Sequence, residues 1–396
     1  MATIPVKWFH GSMQGAPSWA RTPGSFVALL DAVLINGFNS LTLDSLVVSG
    51  GVATCTRAAG HGYLLNQVVT IAGATPSALN GEWRVTSIPR ATQFTFAVAG
   101  VSDGAATGTI TAKTSPVGGW TKEFSATNKG VYRSQSSLSP RSYYKVDDTY
   151  TVSGSYGRMG RIGAYTSMTD IDTGTGQWGD MSQAGQSFGA PDVASGWQIV
   201  ADPRTVYVFH WGENATGDTT NRALRHFRWG DFVSVNPLDV EAEMFFLQDP
   251  QYQSYCEFSI WCESCSAELT IARQSPTLRR DEYGALGGKF CGYQQIQDHI
   301  GYGGPSFPSP VDGGMMFSNV WLREALNGRH LRGRQRGLLW PLANQPFSIG
   351  NYGLGVDISG VAGLEGRIVR ILPTQVYGGS NAWKARLGID ITGPWD

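Results

Sequence analysis

Four of the five cysteines fall within one stretch of the chain. Cys256, Cys262, Cys265 and Cys291 are spaced C-x5-C-x2-C-x25-C. Four thiolates can hold zinc in a tetrahedron or carry an iron–sulfur cluster. The spacing is not the paired CxxC…CxxC of a zinc ribbon, and on a strand Cys262 and Cys265 would face opposite sides. Free cysteine is also among the most buried residue types. The four therefore read either as a metal set or as small core residues, and no other cofactor is expected.

The run Asp170-Ile171-Asp172-Thr173-Gly174 resembles half of a calcium loop, with alternating carboxylates and then a turn glycine. The Glu that should follow at EF-hand spacing is absent, and Asp180 is the available substitute. Ordinary turns use the same residues through side-chain-to-backbone hydrogen bonds, and that is the favoured reading. Two Asp two residues apart cannot easily flank a sugar bond from opposite sides, so a glycosidase pair is disfavoured. Arg332, Arg334 and Arg336 alternate, which on a strand places all three on one face. Such a stripe suits an acidic face of a neighbouring subunit better than nucleic acid, and a solvated face equally well. Six histidines are scattered, none at HExxH spacing, and no catalytic set is read from the chain.

The composition narrows the partners. The chain has 396 residues, with 30 basic and 31 acidic, a net charge of -1. That balance gives no general attraction to nucleic acid or to anionic membrane. Charged residues are only 15% of the chain, while Gly reaches 51 and Trp 13. Many strands, tight turns and aromatic contacts are implied, with surface suited to burial against neighbours. The best apolar stretch, Phe26 to Phe38, contains Asp31 and Asn36 and is too short to span a membrane. The opening Met1-Ala2-Thr3-Ile4-Pro5-Val6-Lys7 lacks the basic and apolar regions of a secretory signal, so assembly in a cytoplasm is expected.

These residues need a scaffold, and the pattern predicts a mainly β one. Residues 1–44 read as an arm and a helix packing on the main body. Trp8 and Phe9 are aromatic anchors for docking onto something apolar. Ser25 is the candidate cap, and Phe26, Leu29, Leu30, Val33 and Leu34 share one helical face before Asn36-Gly37 stops it. Residues 45–113 form short strands at roughly ten-residue spacing, with Gly, Pro and Asn between them, which predicts a small inserted β-barrel-like module. Residues 114–396 read as a β-sandwich or barrel body of one or two subdomains. There Trp197–Val200 and Val206–Phe209 make a hairpin around Ala201-Asp202-Pro203-Arg204. A second short helix is predicted from Asn319 to Leu326, with Ser318 as cap and Asn327-Gly328 as stop.

Two resemblances follow from particular runs. Gly60-His61-Gly62-Tyr63, Val68-Thr70-Ile71-Gly73, Leu79-Asn80-Gly81-Trp83-Val85 and Phe94-Phe96 together resemble a small β module of phage tail and virion proteins. The same run is similar to the small β domain named from the ubiquitin-activating enzymes, where in phages it implies a structural or adhesive insert. The opening Val6-Lys7-Trp8-Phe9-His10 and the later Leu331-Arg332-Gly333-Arg334 and Gly337-Leu338-Leu339-Trp340-Pro341 look like a family of prophage-encoded virion proteins. That resemblance implies a non-enzymatic tail, tail-tip or baseplate subunit, located in the virion and assembled in the host cytoplasm. It implies other virion proteins and further copies of the chain as partners. Cysteine-held clusters occur in some phage tail-tip proteins, so the metal reading suits that location. The alternative is a tail-tip protein binding a host receptor or carbohydrate through its Trp and Tyr.

Overall fold

A computed structural model describes residues 4–20, 22–149, 156–158, 160–183, 186–188, 196–211, 225–247, 277–280, 286–289, 317–323, 331–341, 355–361, 363–376 and 383–395. The described chain is mainly β, folded into several antiparallel sheets.

The largest sheet runs in the order Lys7–His10, Gly196–Ala201, Thr205–Trp211, Arg225–Ser234, Leu331–Pro341, Trp383–Asp390, Val369–Val376 and Val356–Ile358. The Glu243–Leu247 strand also pairs with Arg225–Ser234 and leads on to Thr277–Arg280. The predicted hairpin is present, with Trp197 opposite His210 and Ala201 opposite Val206. Its turn is closed by Asp202, whose Oδ1 accepts the backbone N–H of Arg204 (2.9 Å) and of Thr205 (2.8 Å). Gly196–Ala201 is buried along almost its whole length, so the sheet is covered on both faces along this strand.

Residues 7–10 correct the picture of an arm. Lys7–His10 is a strand of this sheet, with Phe9 opposite Ile199. Trp8 and Phe9 are 2% and 1% exposed, and they belong to the chain's own core. The something apolar onto which they dock is the body itself.

On one face of the sheet sits a helix, Ser25–Leu30, continued by a wider π-turn over Asp31–Asn36. Ser25 does not cap it: the Ser25 hydroxyl donates to the Ala20 carbonyl (2.6 Å). Gly24, at φ 86, takes the cap position. The first-turn N–H of Phe26 is satisfied by a carboxylate far along the chain, Asp148 Oδ2, at 2.8 Å. Phe26 stacks on Trp19 (4.9 Å) and meets Phe227 edge-on (5.7 Å).

Over the same core lies a five-stranded sheet: Trp120–Ala126, Lys129–Ser134, Tyr143–Asp147, Arg161–Met168 and Gly174–Gln183. Its inward residues Tyr132, Tyr144, Ile162 and Trp178 share one cluster with Trp229 and Phe245 of the large sheet. Each such side chain contributes roughly 1.5–3 kcal/mol by leaving water.

A separate core runs from Leu41 to Ala112, enclosed by one sheet of four strands and one of five. The four-stranded sheet recruits Phe38–Thr42, which pairs with Thr111–Thr114. Polar groups fasten this unit to the body. Lys7 Nζ donates to Glu82 (2.6 Å) and to the carbonyls of Pro116 (2.7 Å) and Val117 (2.9 Å). Asn66 donates to Asp357 (2.8 Å), which also receives a two-pronged guanidinium from Arg370. Arg370 in turn lies 3.6 Å over the Trp8 ring.

The second predicted helix is a strand. Phe317–Arg323 pairs with Leu331–Pro341, and Val320 and Leu322 are its buried residues. A short apolar run satisfies both periods, and the long partner strand supplies hydrogen bonds that decide for period two.

Candidate functional site

Where the large sheet meets the loop after Lys129–Ser134, the surface opens into a cavity of about 450 Å³. Its lining includes Ser139, Arg204, Asp231, Asp239, Arg336 and Trp395. Asp231 lies within the Arg225–Ser234 strand and is 1% exposed. Its Oδ1 accepts from the Ser139 hydroxyl (2.8 Å), and its Oδ2 accepts from Arg204 Nε (2.6 Å). Burial, and then the charge of Glu243, push the Asp231 carboxyl up to about 7, against the pull of Arg204 and Ser139.

Glu243 is the cross-strand partner of Asp231. Behind the cavity its carboxylate accepts from the Ser142 N–H (3.0 Å), the Ser142 hydroxyl, Tyr144 Oη (3.2 Å) and Arg279 Nη1 (2.9 Å). Trp178 Nε1 donates to the Ser142 hydroxyl (3.1 Å). Two carboxyls brought together by strand register are thus held by five residues, Ser139, Ser142, Tyr144, Arg204 and Arg279. A carboxyl titrating near neutrality in a cavity is a possible general acid by chemistry alone. Here both Asp231 oxygens are already engaged, and Glu243 is saturated with donors. The arrangement ties the Ser134–Ser142 loop to the sheet.

The arginine stripe serves the same junction. Arg336 is 3% exposed and donates to Asp202 Oδ1 (2.9 Å), Thr205 Oγ1 (3.1 Å) and the Trp395 carbonyl (2.9 Å). Arg332 Nη2 donates to Asp239 Oδ2 (3.0 Å). Arg334 lies opposite Val233 and Trp321. The acidic face expected on a neighbour is therefore found, for Arg332 and Arg336, within the chain. Gly337, at φ +67, stands where a Cβ would lie 2.2 Å from the Trp395 indole nitrogen, so only glycine lets that ring close over the strand.

Leu138 and Val240, which line the cavity, are large apolar side chains facing water, as are Val235 and Leu238 close to Val240 in sequence. Leu138 is 73% exposed, Val235 53%, Leu238 82% and Val240 77%. Among the described residues these four are the most exposed large hydrophobics.

The other sequence candidates fall elsewhere. Cys256, Cys262, Cys265 and Cys291 lie outside the described residues. Cys55 is buried in the small unit's core, and burial pushes its thiol far up. Among the described residues no group of His, Cys, Asp and Glu is arranged to hold a metal. Asp170 Oδ1 accepts the N–H groups of Asp172 (2.8 Å) and Thr173 (2.7 Å), which is an ordinary turn. Asp172 faces Lys129 (2.8 Å) and Lys145 (2.9 Å), cations that take the place a calcium ion would need. A spelling that sequence reasoning passed over, Gly185-Gln186-Ser187-Phe188-Gly189, matches a nucleophile elbow. Its middle, Gln186–Phe188, is a strand paired with Tyr156–Arg158 and not a strand-to-helix turn. The Asp231–Glu243 pair was also missed. Its only signal is an acid within Trp229-Gly230-Asp231-Phe232 and the last of three alternating acids, Asp239, Glu241 and Glu243, before the apolar Met244-Phe245-Phe246-Leu247.

No helix among the described residues is long and apolar enough to cross a membrane. No protein-family model matches the chain, and no curated protein matches it. Among solved structures the chain is similar to the phage phi92 endosialidase, at 12% identity and a TM-score of 0.17, over 90% of this chain and 70% of that one. At that score the likeness carries neither a fold nor a site across.

Proposed function

We propose that this chain is a structural subunit of a bacteriophage particle, in the tail, that works by burying its surface against other subunits and not by catalysis. The observation that carries the reading is that Leu138 and Val240, which line the same cavity, and Val235 and Leu238 beside Val240 in sequence, face water. Large apolar side chains left in water at one site are what a protein interface covers. The charge content of 15% supports it, since interface cores are depleted in charge. The tail location rests on the sequence resemblance to prophage virion proteins and on the small β unit within it.

Purified particles test the reading. A fixed copy number of the chain per virion, with no saturable binding of the isolated protein to host envelope, is the expected result. Saturable binding to envelope or lipopolysaccharide would move the role to host recognition at the tail tip. Release of new sugar ends from host polysaccharide would overturn the non-catalytic reading.

A further inference from the structure

We propose that the loop over residues 137–142 is a pH-sensitive latch on the cavity, closed while the buried Asp231–Glu243 pair keeps a proton and released when both carboxyls are charged. The inference stands apart from the assembly reading above.

The loop has no apolar anchor. It reads Ser137-Leu138-Ser139-Pro140-Arg141-Ser142, and only Ser139 and Ser142 are buried. Leu138, its one large apolar residue, is 73% exposed. Among the described residues, its bonds to the large sheet all end on two acid–arginine pairs. The Ser139 hydroxyl donates to Asp231 Oδ1 (2.8 Å), and Arg204 Nη2 donates to the Leu138 carbonyl (3.1 Å). The Ser142 N–H donates to Glu243 Oε1 (3.0 Å), the Ser142 hydroxyl donates to the same carboxylate, and Arg279 Nη1 donates to the Pro140 carbonyl (3.1 Å). A surface loop that buries no large apolar side chain opens at lower free energy than the sheets beneath it. Ser137, Leu138, Ser139 and Pro140 line the cavity, so release of the loop removes one of its walls.

The two acids tie that release to the proton. Asp231 and Glu243 are opposite each other in strand register, at 1% and 0% exposure. Two charges so placed repel, and burial followed by Glu243 pushes the Asp231 carboxyl up to about 7. A hydroxyl donates or accepts, so the Ser139 bond survives protonation of Asp231, while the repulsion does not. Opening the loop brings water to Asp231 and returns it toward its ordinary 3.8. The closed loop therefore holds a proton that the open loop gives up. Its advantage is full below about pH 4 and is lost as pH rises to about 7. Of the other groups facing the pair, Arg204 and Arg279 are its cations, and Arg279 is shared with Glu241. Burial holds the Tyr144 hydroxyl far above its usual range, so it stays neutral. Arg336 with Asp202, and Arg332 with Asp239, stand nearby as closed pairs.

Hydrogen exchange on the full chain from pH 5 to 8, divided by the intrinsic rate at each pH, tests this. Arg141 and Ser142 are the reporters, since their N–H groups donate to Ser139 Oγ (3.1 Å) and Glu243. The expected opening constant of the loop rises about ten- to 50-fold from pH 5 to 7 and levels off above that. Ile199 and Val208, paired at the centre of the buried hairpin, should exchange far more slowly at every pH. Asp231→Asn should make the loop's opening constant independent of pH. A flat profile in the wild-type loop overturns the inference, whether or not the variant folds. Loop amides exchanging no faster than Ile199 and Val208 also overturn it, because the opening is then global unfolding. A slope that persists in folded Asp231→Asn overturns the assignment to this pair.

Discussion

Replacing Asp231 by Asn tests the electrostatics of the cavity floor. The amide keeps an acceptor for Arg204 Nε, and the Ser139 hydroxyl can rotate to accept from the amide nitrogen. What disappears is the ionisation. In the folded protein the Asp231 carboxyl titrates at about 7, against an ordinary value of 3.8. A raised folded value means that the folded chain holds a proton which the unfolded chain has released. The stabilisation is therefore fully present below about pH 4 and is lost as pH rises toward 7. From pH 5 to 7 the unfolded carboxyl is ionised throughout, while the folded one goes from protonated to half ionised. At about 1.4 kcal/mol per pH unit, wild type loses roughly 2 kcal/mol across that window relative to the variant. The side chain is 1% exposed, so solvent screening takes little from this figure. Urea denaturation of both proteins at pH 5, 6 and 7 measures it. A wild-type-minus-variant gap that stays flat, or grows with pH, would refute the idea that burial and Glu243 dominate over Arg204.

Further outcomes are expected at Arg336, Asp148 and Lys7. Arg336→Met leaves Asp202 buried without its cation, and denaturant unfolding should show a loss of about 3–5 kcal/mol, with part recovered in the Asp202→Asn/Arg336→Met double variant. Asp148→Ala removes the acceptor for the Phe26 N–H and should lower stability by about 1 kcal/mol. Because burial pushes Asp148 up to about 6, its own pH-linked stabilisation fades between about pH 4 and 6, and Asp148→Asn should flatten that slope in thermal melts. Lys7→Met strips the bond to Glu82, so hydrogen exchange should quicken at Gly81–Arg84 while Val69 and Ile71, in the small unit's own core, keep their protection.

Local signals were the legible ones. The Asp-Pro turn between two apolar alternating runs gave the 196–211 hairpin, because a single aspartate closes it through its own neighbours. The short strands after residue 45 were readable from their turn residues, although the unit's sheet begins earlier, at Phe38, where a strand directly follows a helix and no turn cluster marks it. The 319–326 helix failed because Val320, Trp321 and Leu322 fit either period, and the deciding partner, Leu331–Pro341, is a tertiary fact. Trp8 and Phe9 were visible as anchors, but not what they anchor to, since Gly196–Ala201 lies far along the chain. The cavity was the least legible. Ser139, Arg204, Asp231 and Glu243 come from four segments, and only strand register makes the two acids neighbours. The arginine alternation was read as one face of a strand, and Leu331–Pro341 is a strand, but the counter-charges of Arg332 and Arg336, Asp239 and Asp202, sit in turns that periodicity does not connect to it.

The packing of Trp8 under Arg370, and of Tyr207 against Trp395, sets an order of events during synthesis. The unit between Leu41 and Ala112 contains its whole core in a short length of chain and can close as soon as that length has emerged. The large sheet cannot. Its first strand and its last aromatic plug are separated by nearly all of the intervening sequence, and contacts of such separation form late and slowly. During that wait the apolar face of the Lys7–His10 strand stands uncovered beside an already finished neighbour. The bonds that tie this strand to the small unit, from Lys7 Nζ to Glu82 (2.6 Å), from Trp8 Nε1 to the Asn66 carbonyl (3.0 Å) and from Arg84 Nη2 to the Val6 carbonyl (3.1 Å), then gain a second meaning, as a cradle that holds the early strand in place until the end of the body arrives to cover it.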